Sequence, residues 1–244
     1  MIAILQWTTL AACALAAIAR VPSALRGENR TLFFMYFLLT VAILLSIEAP
    51  YVAIDQALGG LNLANVILRF IVFGAIFALG LRIARGFGAD DALRLLTGPV
   101  GIAVAALASL AVVVSFLMMD TAGSSAGLVQ IHAKDARNAV LVEYYGAAGR
   151  LYPAYVMLAL LPAMLRTVGS SLPGLVRAGA ALLAVGSVAI TLSLLFPVIP
   201  ESLAYLRFVI NYTAILCIIV GLATFWLSKA LAKRTRKTQT DVTG

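Results

Sequence analysis

Glu48, Arg69, Glu143, Arg150 and Arg207 are ionisable side chains that fall inside, or at the margins of, long apolar runs. A charge placed in hydrocarbon is costly, so such a group is normally paired or performs a function. A carboxylate and a guanidinium can neutralise each other. A guanidinium without a partner is instead a planar fork of donors suited to phosphate or carboxylate. Gln6, Tyr51, Tyr144, Tyr145, Tyr152, Asn211 and Tyr212 occupy the same runs and add neutral donors and acceptors. Their depth follows from the helical rise, counted from the basic residue that ends each run. Arg69 lies about 20 Å from Arg82, Arg150 about 24 Å from Arg166 and Gln6 about 21 Å from Arg20. Glu48 lies about 27 Å from Arg30, and Asn211 about 27 Å from Lys229. In a hydrocarbon core of about 30 Å, all of these sit in the third farthest from the basic ends. Arg207 and Glu143 sit higher still, and the remaining depth holds no ionisable group.

This one-sidedness predicts a polar pocket open to one face and sealed beneath by apolar packing. The expected binding or charge-network residues are Glu48, Tyr51, Arg69, Glu143, Tyr145, Arg150, Arg207 and Asn211. Arg69 and Arg150 would bind anionic groups, or pair with Glu48 and Glu143. In the alternative reading Glu48, Arg69 and Arg150 neutralise one another and the tyrosines form an interfacial belt. Catalysis is not expected. The only histidine is His132, in a loop, and no nucleophile–base set or metal-ligand cluster is visible within the runs. Ser115, Ser193 and Thr213 are expected to bond their own helix backbone. No cofactor is expected. Retinal in particular would need a lysine within the last run, which has none before Lys229. A transport path would need polar groups through the full depth, and a channel a filter or ring of charges.

The elements that must carry these residues follow from composition. Of 244 residues, 63% are hydrophobic and 11% charged, with a mean hydropathy of +1.04. A soluble domain carries roughly 25% charged residues, so this is an integral membrane protein. Seven runs approach the length of about 20 residues that a span requires: Ile2–Ala19, Leu32–Val52, Leu63–Leu81, Val100–Met119, Tyr145–Leu165, Leu175–Val198 and Tyr205–Leu227. They are continuous rather than alternating, which predicts an all-α polytopic bundle and excludes a transmembrane barrel.

Basic residues set the direction. Arg20, Arg26, Arg30, Arg82, Arg85, Arg94, Arg166, Arg177 and the tail residues Lys229, Lys233, Arg234, Arg236 and Lys237 share one side. The opposite loops hold only Lys134 and Arg137. The expected N-terminus is outside and the C-terminus cytoplasmic. The net charge of +8 then reflects topology and contact with anionic lipid at the inner face rather than nucleic-acid binding.

Leu10-Ala11-Ala12-Cys13 and Ala17-Ile18-Ala19 look like processing sites. No basic residue precedes them, so the first run is expected to stay as a span. Cys13 and Cys217 fall inside spans and form no disulfide framework. The chain divides into a membrane domain, 1–228, and a short basic tail, 229–244, whose end is expected to be disordered. The Asp120–Val142 loop begins as a Gly/Ser stretch, and Gln130–Asn138 is expected to form a short amphipathic helix. Gly88–Thr97 should form another, with Asp90 or Asp91 at its N-terminal end. Small residues in the fourth run (Gly101, Ala103, Ala105, Ala106, Ala108, Ala111) and the sixth (Ala178, Gly179, Ala180, Ala181, Ala184, Gly186) should allow close helix approach. Pro153, Pro162, Pro197 and Pro200 imply kinks or ends.

The stretch Ala49-Pro50-Tyr51-Val52-Ala53-Ile54-Asp55-Gln56-Ala57-Leu58-Gly59-Gly60-Leu61-Asn62-Leu63-Ala64-Asn65 resembles a segment of actinobacterial seven-helix membrane proteins regarded as transporters. In that family a Pro-x-Tyr…Asp…Gly…Asn-Leu-Ala run joins the second and third spans. The Tyr-rich Glu143–Arg166 region is also similar in arrangement. Members usually continue into a soluble cytoplasmic domain, whereas this sequence ends shortly after its last span. The family also places a His at the eighth position counted from Asn62, where this chain has Arg69. The resemblance implies the fold more than an activity.

The resulting expectation is a non-enzymatic, multi-pass protein of a bacterial plasma membrane. Its outward-facing polar pocket would serve a solute- or lipid-binding sensor or a transporter-like protein. The alternative is a structural or interaction protein, with Gly/Ala faces that form a homo-oligomer or bind a membrane partner and with charges that are only structural pairs.

Overall fold

The computed structural model describes residues 2–27 and 30–242. Those residues form ten α-helices and three short 3-10 segments, with no strand among them: α1 (Ile2–Leu25), α2 (Arg30–Leu44), α3 (Glu48–Ala57), α4 (Leu63–Gly86), α5 (Asp90–Thr97), α6 (Pro99–Leu117), α7 (Val129–His132), α8 (Ala136–Val168), α9 (Gly174–Leu192) and α10 (Ala204–Val242). Six helices among the described residues are long and apolar enough to cross a membrane. The number is seven if α2 and α3 together make one span.

That pair corrects the second expected span. Leu32–Val52 is not one helix: α2 and α3 meet at a bend of 91°. Pro50 lacks the N–H that would bond the Ser46 carbonyl, and its ring clashes with that carbonyl, so the helix breaks at Leu45–Ile47. The Ser46 hydroxyl turns back to donate to Ile43 O at 2.7 Å.

The fifth span also differs. It begins at Ala136 rather than Tyr145 and runs 33 residues, about 50 Å. The Asp135 carboxylate caps it, accepting from the Asn138 N–H at 2.7 Å. The same Asn138 accepts the Asp120 N–H, which ties the end of α6 to the start of α8. Of the expected loop helix Gln130–Asn138, Gln130–His132 fall in α7, Ala133 and Lys134 form a turn, and Ala136–Asn138 begin α8. Pro153 and Pro162 lie inside α8, which continues as one helix through both. Pro197 falls in the 3-10 segment Ser193–Val198 that follows α9.

Asp90 and Asp91 start α5, where carboxylates favour the positive end of a helix. Pro99 starts α6, where a missing N–H costs nothing. The last helix, α10, continues to Val242. The side chains of Lys229, Lys233, Arg234, Arg236 and Lys237 lie outside the described residues.

Contacts between helices give the direction of each. Down the α4–α8 seam, Asn65 meets Tyr145, Arg69 meets Gly149, Phe73 meets Tyr152 and Gly80 meets Val156. Both numbers rise together, so α4 and α8 run parallel. Gly179 and Gly221 bring α9 and α10 together: a Cβ on Gly179 would lie 3.1 Å from Gly221 O. At Gly186 it would lie 3.3 Å from Ala214 O, so α9 and α10 run antiparallel. The main core, including Phe73, Leu96, Val112, Val156, Leu160, Met164 and Leu183, fills the space between α4, α5, α6, α8 and α9. Within α6, Gly101 and Ala108 are buried, while Ala103 and Ala106 face outward.

Candidate functional site

The polar groups gather at the end of the bundle that carries the α3–α4 turn and the loop after α6. The first cluster centres on Asp55 and Asn62, both fully buried. Asn62 takes the left-handed conformation (φ 57°) just before α4, which Asn tolerates better than most residues. The Asp55 carboxylate accepts the N–H groups of Asn62 (2.9 Å) and Ala64 (3.0 Å) and the Ser124 hydroxyl (2.6 Å). It thereby satisfies donors that the start of α4 leaves open and faces the positive end of that helix.

The Asn62 side chain uses its full bonding capacity. Its Oδ1 accepts from the Tyr51 hydroxyl (2.8 Å) and the Ser125 N–H (3.0 Å). Its Nδ2 donates to the carbonyls of Thr121 (2.9 Å) and Gly123 (2.6 Å). These bonds fasten two loops together at the mouth of the bundle.

One turn further along α4, the Tyr145 hydroxyl donates to Asn65 Oδ1 at 3.0 Å. The Arg69 guanidinium lies over the Tyr145 ring, 5.0 Å from its centre. Gly149 makes room for the Arg69 stem: a Cβ there would lie 2.8 Å from Arg69 Cδ and 2.9 Å from Nη1. Next to it on α8, Arg150 sits 4.5 Å over the Phe196 ring. Arg207 on α10 makes a 2.6 Å ion pair with Glu143 and donates to Ile199 O at 3.2 Å. Arg69, Arg207 and Glu143 all act electrostatically on Arg150.

Of the three guanidinium groups, only that of Arg207 pairs with the Glu143 carboxylate. Among the described residues the ion pairs are Arg207–Glu143 and, in the loop after α6, Lys134–Asp120. Arg69 Nε and Arg150 Nη1 are buried without a hydrogen-bond partner, as is Arg207 Nε. Each is a desolvated donor on a full charge, and a charge of the opposite sign would relieve it. Toward the other end, Phe73 and Tyr152 meet at a tilt of 54° with ring centres 5.4 Å apart, and beyond them the seam is apolar.

The expected site residues do not form one cluster. Arg69, Tyr145, Arg150, Glu143 and Arg207 adjoin one another along α8. Tyr51 belongs to the Asn62 lock. Glu48 is exposed in the first turn of α3, carried aside by the 91° bend. The mutual neutralisation of Glu48, Arg69 and Arg150 is thereby corrected. Asn211, Tyr144 and Tyr212 are exposed on α10 and α8. Sequence reasoning overlooked Asp55, Asn62, Asn65, Ser124, Gly149 and Phe196 as site residues. The Asp55…Asn62-Leu63-Ala64-Asn65 run was the available signal for the first three. Gly149, in a Tyr- and Arg-containing stretch, marked a close approach.

In the loop after α6, the Lys134 ammonium bonds the Asp120 carboxylate at 3.1 Å and the carbonyls of Asp120 and Ala122. Hydrogen bonding to Lys134, then to the Ala122 N–H, holds the Asp120 carboxyl below its ordinary value. Among the described residues no group of His, Cys, Asp and Glu is placed to hold a metal ion. Comparison of the chain with protein-family models, curated proteins and solved structures found no match.

Proposed function

We propose that this chain is a non-enzymatic, multi-pass protein of a bacterial plasma membrane whose polar cluster binds an anionic group. In this reading seven spans cross the bilayer, with the Asn62 lock outside and the basic ends in the cytoplasm. Arg82, Arg85, Arg94, Arg166 and Arg177 are exposed at the end away from the lock, as the distribution of positive charge in membrane proteins requires. The observation that carries the binding reading is the pair of buried, unpartnered guanidinium nitrogens, Arg69 Nε and Arg150 Nη1. A guanidinium fork offers paired donors that match the oxygens of phosphate or carboxylate. Arg69 and Arg150 are the binding groups, the Tyr145 ring face holds the Arg69 guanidinium from the mouth side, and the Asn62 lock holds the mouth. The outcome is a solute- or lipid-responsive sensor or a transporter-like protein, as the resemblance to the actinobacterial proteins also suggests.

The 2.6 Å Arg207–Glu143 pair favours, for those two residues alone, the second reading of structural charge pairs.

The test is thermal unfolding of the purified chain in neutral detergent against a panel of free and lipid-borne anions. Arg69→Ala should remove anion-dependent stabilisation and leave a folded protein. If Arg69→Ala keeps the full stabilisation, the reading fails. Anion flux into proteoliposomes separates a transporter from a binding protein.

A further inference from the structure

A groove of about 420 Å³ opens between α8, α9 and α10, lined by Leu161, Leu165, Val185, Val188, Leu192 and Val209 among others, with Thr213 as its one hydroxyl. Its α10 wall begins next to Arg207. On α10, Arg207 precedes Val209 and Ile210 of the groove by less than a turn. On α8, Leu161 follows Arg150 by 11 residues, close to three full turns. Leu161 therefore lies on the same face, about 16 Å along the axis. On α9 the lining runs from Ala184 to Leu192, about 12 Å along the axis. Phe196, under the Arg150 guanidinium, follows Leu192 by one turn of the 3-10 segment.

A cationic cluster and an apolar groove thus lie along the same helices, the one beyond the other. We propose that the anion bound at Arg150 is the phosphate of an anionic phospholipid whose acyl chain lies in the α8–α9–α10 groove. This rests on the anion-binding reading above and names its ligand class. The charge is complementary: Arg150 Nη1 is a buried donor without an acceptor, and a phosphate diester supplies acceptors and a negative charge. A free anion would leave the groove unfilled. An uncharged apolar molecule would leave the guanidinium groups as they are.

The experiment uses the full chain in neutral detergent. Unfolding temperature and native mass spectra are recorded with dioleoyl phosphatidylglycerol, dihexanoyl phosphatidylglycerol, dioleoyl phosphatidylcholine or sodium phosphate. The long-chain anionic lipid should stabilise and remain bound, and the other three should not. Val188→Trp, which fills the groove, and Arg150→Gln should each weaken its apparent Kd by about tenfold or more. The chain-length comparison decides the matter on the wild-type protein even where a variant fails to fold. If sodium phosphate or the short-chain lipid stabilises as well as the long-chain one, anion binding stands and the lipid assignment falls. If phosphatidylcholine matches phosphatidylglycerol, charge recognition in the groove falls. If nothing stabilises, both readings fall.

Discussion

The Arg69 guanidinium rests on the face of Tyr145, 5.0 Å from the ring centre, while the Tyr145 hydroxyl donates to Asn65 one turn before Arg69 on the same helix. One aromatic residue of α8 thus supports a charge and bonds an amide of α4. Tyr145→Phe keeps the ring and loses only the hydrogen bond. It should lower unfolding stability by about 1–2 kcal/mol and leave anion binding intact. Tyr145→Leu should cost about 1 kcal/mol more, through the lost cation–π contact, and weaken binding. Thermal unfolding in detergent, with and without anion, distinguishes the two.

Gly149 is present because Arg69 crosses α8 there. Gly149→Ala would place a methyl group 2.8 Å from Arg69 Cδ. Either the helices separate or the guanidinium leaves Tyr145. The expected cost is about 1–3 kcal/mol, with reduced anion-dependent stabilisation in the same unfolding assay. Gly174→Ala, at a position with open space, is the matched control and should be near neutral.

The Asp55–Asn62 lock is the most completely bonded polar cluster described. Asp55→Ala leaves the Asn62 and Ala64 N–H groups buried without acceptors and should cost about 2–4 kcal/mol. Asn62→Ala should cost a similar amount by freeing the Thr121 and Gly123 carbonyls. The pair should be less than additive, since both substitutions open the same loop junction. Amide exchange should rise at Asn62–Asn65 and Thr121–Ser125 in both variants.

Arg207 and Glu143 face each other at 2.6 Å with partly exposed side chains. Removing either alone leaves an uncompensated charge near Arg150, and Glu143→Ala should be the more damaging because it leaves three cations together. A double-mutant cycle should give a coupling of about 1–3 kcal/mol. Glu48→Ala, on the exposed start of α3, should shift stability by no more than about 0.5 kcal/mol and should not rescue Arg69→Ala.

Asp120 titrates outside the membrane helices. Its carboxyl is held below the ordinary value by Lys134. The pair's contribution should be complete above the unfolded-chain value of about 4 and should vanish as pH falls through the lower folded value. The difference in unfolding temperature between wild type and Asp120→Asn should therefore be constant from neutral pH down to about 5 and close below about 4.

Much of this protein was legible as sequence. Lipid offers no partner to backbone groups, so an apolar run of sufficient length must be helical, and the helix class follows from composition alone. The basic ends, the acidic start of α5 at Asp90 and Asp91, and the gathering of Glu143, Tyr145, Arg150 and Arg207 in one part of the chain could all be read residue by residue. Local chemistry decides each of these.

Hydropathy could not reveal the break at Leu45–Ile47, because Pro50 stops the helix without lowering the apolar content of the run. Nor could it show that α8 begins at Ala136, where the Asp135 cap rather than apolar content sets the start. Above all it could not say which side chains meet. In a membrane helix the face toward lipid and the face toward the core are both apolar, so the amphipathic signal that assigns faces in a soluble protein is weak. The bonds from Asp55 to Ser124 and from Asn65 to Tyr145 join residues 69 and 80 positions apart. The separation of Glu48 from Arg69 depends on one bend. Only the packing of α3, α4 and α8 against one another decided that Arg69 and Arg150 would be left without a carboxylate.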